Sequence, residues 1–166
     1  MNTSLIRLTI LLGWVGFLSL FLLKAEPEKT PYSGDVQIKT LLRSSTNSAG
    51  QPIEYPHDKA EVSVLQVEIA PGKQTGWHKH PVPLFAYVLS GEITVYLKDK
   101  NGDKHTYHQG EASAECVNML HNGINEGKEP VKLLIFVAGK EKVPFTVKAA
   151  VDKEGRPLGD YPYPPY

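Results

Sequence analysis

Apolar residues beyond position 25 recur with a period of two, in short runs separated by glycine, proline and asparagine. The clearest run extends from Glu92 to Lys98, EITVYLK, in which every second residue is a large aliphatic. Such alternation predicts an antiparallel strand with one covered face. Leu84 to Leu89 is instead apolar at consecutive positions and predicts a central strand. No sustained 3.6-residue period occurs after residue 25, so the pattern predicts an all-β fold.

The same reasoning predicts further strands at Asp35–Arg43, Glu61–Ala70, Lys104–His108, Val131–Val137 and Val143–Val147. Within the second of these, the apolar phase shifts by one residue between Val64 and Leu65, which predicts a β-bulge. Asn101-Gly102 is a strong signal for a hairpin turn ahead of the third. Short antiparallel strands at regular spacing are typical of a sandwich or a barrel.

The amino-terminal segment differs from the rest of the chain. Sixteen residues without a charge extend from Leu8 to Leu23. Residues 1–25 are therefore predicted to form a hydrophobic helix, either a signal peptide or a signal anchor. Leu23 would occupy the −3 position of a cleavage after Ala25, where a small residue is preferred, so an uncleaved membrane anchor is the favoured interpretation. We expect the domain that follows to lie in the cell envelope outside the cytoplasm, or to be secreted or periplasmic if the segment is cleaved.

The rest of the chain is predicted to hold one domain. Residues 26–34 form a linker rich in proline and charge, residues 35–150 carry the strands, and residues 151–166 form a tail rich in proline and tyrosine. Eighteen basic and 18 acidic residues give zero formal net charge, which argues against a nucleic-acid partner. Cys116 is the single cysteine, so no internal disulfide can form. It is either a free thiol near a site or a small buried hydrophobe.

Three histidines stand out as candidate metal ligands. His78 and His80 are two residues apart, so in an extended strand both imidazoles point to the same face. His121 follows far along the chain, in the stretch from Gly110 to Asn125. Three imidazoles that converge on one point predict a bound metal ion.

The stretches that carry these histidines resemble the paired motifs of the cupin superfamily. In the first motif, Gly72 is followed by five residues, then by His78 and His80, and Gly91 closes the motif. In the second, Gly110, His121 and Asn125 match. The sequence departs from the family pattern at three positions: Leu84 replaces a glutamate, Cys116 a proline and Asn118 a glycine. The resemblance implies an antiparallel jelly-roll barrel with a metal inside, and a homodimer.

The ligand types restrict the choice of metal. Imidazole suits iron, copper, zinc and nickel, whereas a carboxylate would favour manganese, so Leu84 at the glutamate position argues against manganese. Some three-histidine cupins are iron dioxygenases, and the resemblance therefore favours Fe²⁺, with Zn²⁺ or Ni²⁺ as the alternatives. With three neutral ligands the ion would keep its full double charge and would take an anionic substrate directly.

Four more residues are candidates for work at this site. Glu115, six residues before His121, is the acid predicted to transfer protons, and the equally weighted alternative is a solvent-facing strand residue. Tyr87, Tyr96 and Asn125 are candidates to orient a small-molecule substrate or a ligand ring. For Asn125 the favoured interpretation is that it fixes the loop that carries His121, since asparagine readily bonds nearby backbone.

Three classes of function follow from this interpretation. The favoured one is a metal-dependent, dioxygenase-like oxidoreductase that acts on a small anionic molecule. The second is a zinc or nickel isomerase or lyase, in which the metal acts only as a Lewis acid. The third is a non-catalytic protein that binds a small molecule in the barrel.

Overall fold

The structure is a computed structural model that describes residues 36–98 and 101–158. The chain divides into two compact units, residues 1–39 and residues 40–166, and every strand of the described residues belongs to the second. The predicted amino-terminal helix, the linker and the last part of the tail lie outside the described residues. Among the residues that are described, none forms a helix with the length and apolar character needed to cross a bilayer.

The described part of the second unit is built from β-strands in two antiparallel sheets. The strands are β1 Ala60–Ile69, β2 His78–Lys79, β3 Leu84–Ser90, β4 Glu92–Leu97, β5 Lys104–His108, β6 Ala112–Ala114, β7 His121–Ile124, β8 Val131–Lys140 and β9 Val147–Lys148. One sheet has the order β1-β8-β3-β6 and the other has the order β5-β4-β7-β2-β9. For the described residues the all-β prediction is confirmed, and the two antiparallel sheets are consistent with a jelly roll.

The hydrophobic core lies between the sheets and comes mainly from the first one. β8 alternates buried and exposed residues along its length, as a strand with one covered face must. β3 lies between β8 and β6, which confirms the prediction of a central strand. The core consists of Ile69, Val82, Leu84, Ala86, Val88, Ile93, Val131, Leu133, Ile135 and Val137. Burial of each larger aliphatic side chain contributes roughly 1.5–3 kcal/mol.

The predicted hairpin is also present. β4 pairs with β5 in antiparallel register from Glu92 opposite His108 to Tyr96 opposite Lys104. Gly102 in the connection has φ +66°, which glycine adopts without the steric cost that a Cβ would bring.

The bulge predicted within Glu61–Ala70 is wrong. β1 pairs with β8 without interruption, from Ala60 opposite Lys140 to Ile69 opposite Val131. The apolar phase changes because Val64, like Val62, lies on the outer face and is exposed, whereas the later odd-numbered residues face inward. The irregularity occurs instead in β3, where the register with β8 shifts between Val88 and Ser90.

Two predicted strands are also wrong. Residues 36–43 of the predicted strand Asp35–Arg43 form no strand, and the apolar side chains in this part of the chain are exposed, as Leu41 illustrates. The predicted strand Val143–Val147 is reduced to its last residue, with which β9 begins. Pro144 supplies no N–H for pairing, and Lys142 before it has φ +64°, which is turn geometry.

Candidate metal centre

The three predicted ligands meet between the sheets. His78 opens β2 and pairs with His121, the first residue of β7, while His80 bridges to Val117 just beyond β2. The imidazole centroids are 4.3 Å apart for His78 and His121 and 4.9 Å apart for each of the other two pairs. All three side chains are buried, and one nitrogen from each lies within 4.8 Å of the others. The sequence-predicted histidines are therefore brought together.

Backbone carbonyls fix the orientation of each ring. Nδ1–H of His78 donates to the carbonyl oxygen of Gly76 at 2.7 Å, and Nδ1–H of His80 donates to that of Phe145 at 2.7 Å. Nδ1–H of His121 donates to the carbonyl oxygen of Met119 at 2.9 Å. Because each Nδ1 carries the hydrogen of the neutral ring, each Nε2 keeps its lone pair for another partner. This pattern of second hydrogen bonds is typical of metal-ligating histidines.

One nitrogen in this cluster lacks a hydrogen-bond partner. Nε2 of His121 is fully buried and makes no hydrogen bond. An unpaired buried polar atom costs about 1–3 kcal/mol, so such atoms are rare without a reason. A divalent metal ion bound by the three Nε2 atoms would provide the missing partner of His121 Nε2. The three imidazoles are therefore a donor set that fits a divalent metal.

Glu115 follows β6 directly and places its carboxylate at the same point. Its Oε2 lies 3.1 Å from Nε2 of His80 and 3.3 Å from Nε2 of His121. The sequence prediction put this acid near the histidines, and the structure places it against two of them. With every Nδ1–H already bonded to a carbonyl, an Nε2 lone pair and a carboxylate oxygen repel each other unless a proton or a metal ion lies between them.

The metal-free cluster is strongly coupled electrostatically. Burial, together with the neighbouring His121, lowers the pKa of His78 to about 4. For Glu115, burial alone would raise the pKa, but the adjacent imidazoles of His121 and His80 hold it well below its usual range. For His121, burial alone would lower the pKa, but Cys116 and the Glu115 carboxylate raise it to about 10. Without metal, protonated His121 therefore balances the negative charge of the Glu115 carboxylate.

Cys116 lies beside the metal centre but on its outer side. The residue is only 1% exposed, and its Sγ is 3.3 Å from Nδ1 of His121, the nitrogen that faces away from the cluster. The two interpretations of the sequence are both partly right, because the thiol is buried and also touches a candidate ligand. Its position at Nδ1 makes it a neighbour of His121 and separates it from the point where the Nε2 atoms converge.

The departure from the motif glycine is compatible with the local backbone. Asn118 replaces the second glycine and has φ +58°, a left-handed conformation that asparagine tolerates better than most residues. Its backbone N–H donates to the carbonyl oxygen of His80 at 2.8 Å, so this turn ties the two motifs together. Gly91 keeps its glycine for a steric reason, since a Cβ there would lie 3.1 Å from the carbonyl oxygen of Pro130.

The cluster lines a cavity of about 200 Å³ between the sheets. The remaining walls are mainly aliphatic and come from β1, β3, β4 and β8: Leu65, Val67, Leu84, Ala86, Val88, Ile93, Val95, Leu133 and Ile135. Polar groups other than the four at the centre are few, among them Thr75, Thr146 and Lys148. A cavity with apolar walls and a small polar centre is the usual form of a small-molecule site.

The other predicted substrate-binding residues are not brought to the cavity. On β3, Leu84, Ala86 and Val88 face inward, so Tyr87 points to the opposite face. The hydroxyl of Tyr96 donates to Glu126 at 2.6 Å on the outer surface.

Asn125 is fully buried, but its side chain bonds the backbone rather than the cavity. Its Nδ2 donates to the carbonyl oxygens of Ile69 and Glu129, both at 2.8 Å, and its Oδ1 accepts from the N–H of Gly127. The favoured prediction, that this residue fixes a loop, describes its contacts, although the loop is the one that follows β7 rather than the one that carries His121.

The segment around β9 contributes to the site and was missed in the sequence. Phe145 supplies the carbonyl that orients His80, and Thr146 Oγ1 lies 3.3 Å from the same Nδ1. Lys148 pairs across the sheet with His78 and lines the cavity. Alternation alone could not reveal this, because β9 has only two residues and lies 70 positions from its partner.

One protein-family model matches part of the chain. A family model described as "Cupin domain" matches residues 65–137, which include the three histidines and Glu115. No curated protein matches the sequence.

Several solved structures align with the domain. The Lactobacillus farciminis oxalate decarboxylase–formate complex aligns with a TM-score of 0.47 and 21% identity over 52% of this chain and 26% of that one. An oxalate oxidase aligns with a TM-score of 0.48 and 21% identity over 59% of this chain and 52% of that one. An oxalate oxidase bound to the substrate analogue glycolate aligns with a TM-score of 0.45 and 23% identity over 52% of this chain and 45% of that one. The alignments thus cover between 26% and 52% of those chains.

Proposed function

The chain carries a cupin domain over residues 65–137, and from that premise we propose that it is a metal-dependent enzyme of the dioxygenase-like kind, acting on a small anionic molecule. The observation that carries the proposal is the common orientation of the rings of His78, His80 and His121. Each is held by a backbone carbonyl so that its Nε2 is available at one buried point. Such preorganisation has no packing rationale and is what a metal site requires.

The cavity supports a small substrate. At about 200 Å³ it is smaller than the roughly 300–1,000 Å³ of sites for drug-sized ligands. Its aliphatic walls exclude water from the metal centre, which strengthens the electrostatic interactions there. A substrate with one polar end at the histidines and a short apolar body would match both halves of the lining.

Charge supports an anion. Lys148 lines the cavity beside His78, while Glu115 is the one acidic residue among the cavity-lining residues that the structure describes. A divalent ion and Lys148 together outweigh the single carboxylate, so the cavity would be net positive when loaded. Lys148 can therefore bind and orient the charged group of a substrate at the mouth.

A bound ferrous ion would supply redox chemistry toward dioxygen, whereas zinc or nickel would supply Lewis-acid chemistry alone. The residues of the chain do the rest: the histidines hold the ion, the aliphatic walls exclude water and Lys148 orients the anion. Fe²⁺ is the metal that we propose, with Zn²⁺ and Ni²⁺ as the alternatives.

The test is a turnover screen of the full-length protein loaded separately with Fe²⁺ and with Zn²⁺. Small carboxylic acids serve as substrates, and dioxygen consumption is followed with an electrode. We expect consumption that depends on both Fe²⁺ and an acid, and that is absent from the matched variant His80→Ala. Turnover with Zn²⁺ and without dioxygen would replace the proposal by an isomerase or lyase. Binding of an acid without turnover in either form would replace it by a non-catalytic binding protein.

We also propose that the chain is membrane-anchored, with its domain outside the cytoplasm. The support is the uncharged run from Leu8 to Leu23 and the large residue at the −3 position. Full-length protein should then pellet with membranes, resist a high-salt wash and be digested by protease added outside the cytoplasmic membrane. Recovery of a shortened exported form that begins near Glu26 would contradict the anchor.

A further inference from the structure

We propose that Glu115 is the fourth ligand of the metal and replaces, from the neighbouring strand, the carboxylate that Leu84 does not provide. The inference rests on the proposed metal site, and it changes the role of Glu115 from that of a free acid to that of a ligand. The carboxylate that the motif glutamate would supply at position 84 is then supplied by Glu115, which lies opposite Leu84 in the same sheet.

The register of the sheet makes the relocation possible. β3 pairs with β6 from Tyr87 opposite Ala112 to Phe85 opposite Ala114. One step further, the N–H of Glu115 donates to the carbonyl oxygen of Leu84 at 2.8 Å. Residues directly opposite in an antiparallel pair have Cβ atoms about 4.5–5.5 Å apart and point to the same face. Both Leu84 and Glu115 line the cavity, so a carboxylate from either could reach the same point.

The distances match those of two ligands on one ion. Metal–nitrogen and metal–oxygen bonds of about 2.0–2.2 Å, separated by 90–110°, place the ligand atoms roughly 3–3.5 Å apart. Oε2 of Glu115 lies 3.1 Å and 3.3 Å from Nε2 of His80 and His121. A carboxylate that served only as a general acid would need to face the substrate rather than two ligating nitrogens at this spacing.

A carboxylate ligand changes the expected metal preference. It lowers the charge of the loaded centre from about +2 to about +1 and adds a hard oxygen donor, which suits manganese as well as iron. Leu84 therefore does not disfavour manganese, because Glu115 provides the carboxylate at the centre. Mn²⁺ should bind to the wild-type chain measurably, and this binding should depend on Glu115.

The experiment measures Mn²⁺ affinity by the loss of the free-ion electron paramagnetic resonance signal, and Co²⁺ binding by its visible spectrum, in full-length protein. Glu115→Gln keeps the shape of the side chain and removes the charge, and we expect it to weaken Mn²⁺ binding at least tenfold, on the scale of a lost metal-site partner. The Co²⁺ spectrum should change, which a distant structural effect would not produce. Glu61→Gln is the matched control, since Glu61 is exposed on β1 and its replacement should change neither measurement.

A double variant returns the carboxylate from position 115 to the motif position, 84. In Leu84→Glu with Glu115→Leu, Mn²⁺ affinity should recover to within a few-fold of wild type, because the acid again reaches the same point from β3. Equal Mn²⁺ and Co²⁺ binding by wild type and Glu115→Gln would overturn the inference and leave the carboxylate a role in proton transfer. If wild type binds neither ion, the proposed function fails first, so the two failures are distinguishable. Glu115→Gln alone decides the matter if the double variant does not fold.

Discussion

The two sheets that enclose the cavity contribute different things to it. The first sheet contains the two ten-residue strands β1 and β8, paired without a break, and most of the core aliphatics. The second carries all three histidines, on strands of only two and four residues and on a bridge beyond β2. Long regular pairing thus lies opposite short, irregular pairing across the same cavity.

The difference shows how a small domain holds polar groups in its interior. Buried imidazoles need hydrogen bonds to backbone carbonyls, and carbonyls are free only where strands end or bend, as at Gly76 and Phe145. The regular sheet has its carbonyls committed to pairing, so it supplies apolar area instead. Glu115 is the exception, since it directly follows β6 at the edge of the first sheet and reaches across to the histidines. We infer that stability depends mainly on one sheet and metal binding on the other.

The largest expected effect is the loss of metal from a variant of the second sheet. His121→Ala removes the buried nitrogen that has no other partner, so we expect metal affinity to fall on the order of a thousandfold, about 4 kcal/mol, while the far-ultraviolet circular dichroism of the strands persists. Competition against a chromophoric chelator measures the affinity. His105→Ala, on β5 and outside the cluster, should keep wild-type affinity. Full metal occupancy in His121→Ala would contradict the division between the sheets.

A variant of the first sheet should show the opposite behaviour. Val131 is 0% exposed and lies in the core away from the cavity, so Val131→Ala should lower the free energy of unfolding by about 2–3 kcal/mol through lost burial and the space left behind. Metal affinity of the folded protein should stay within twofold of wild type. Val64→Ala is the control, because Val64 lies on the outer face of β1, 57% exposed. A large change in metal affinity with Val131→Ala would show that the sheets are coupled.

Acid should weaken the metal-free domain through the second sheet. The pKa of His78 falls to about 4 in the folded state, because burial disfavours its charged form. Between pH 6.5 and 4, His78 therefore binds a proton in the unfolded chain but not in the folded one. The free energy of unfolding consequently declines as the pH falls through this window. Urea unfolding at several pH values in the presence of a chelator measures the decline. In His78→Gln the decline should be shallower, and an unchanged slope would disprove this origin.

The smallest expected effect concerns the mouth of the cavity. Lys148 lines the cavity but is exposed, so its contribution to binding an anion is screened and should be at most about 1 kcal/mol. Azide binding to the cobalt-loaded protein should weaken up to about fivefold in Lys148→Gln, with no change in cobalt affinity. Lys128→Gln removes an equal charge from an exposed position elsewhere. Equal azide affinity in the Lys148 and Lys128 variants would show that Lys148 does not contribute to anion binding.

Local patterns predicted those features that depend on a single segment. The alternation of 92–98, the apolar run from Leu84 and the hairpin at Asn101-Gly102 all gave elements that the structure contains. The spacing of His78 and His80 put both on one face, and their convergence with His121 is present. Parity could also have excluded Tyr87, because it differs by an odd number of residues from Leu84, which faces the cavity.

Features that depend on register between distant segments could not be predicted. The relation of Glu115 to Leu84 depends on how β6 aligns with β3, some 30 positions apart, and alternation within either strand leaves that alignment open. The bulge predicted in β1 is wrong because Val62 and Val64 face outward, and exposed apolar residues are common in folded proteins. The role of β9 was missed for the same reason as that of Glu115, since only pairing with β2 brings it to the site.

The central claim is that His78, His80 and His121 hold one metal ion with a carboxylate beside them. The most direct test is elemental analysis of full-length protein purified without an affinity tag, combined with X-ray absorption at the edge of the metal found. We predict about one transition-metal ion per chain, surrounded only by nitrogen and oxygen at about 2.0–2.2 Å. A chain that stays empty after incubation with Fe²⁺, Mn²⁺ and Zn²⁺, or a metal bound to the sulfur of Cys116, would contradict the claim.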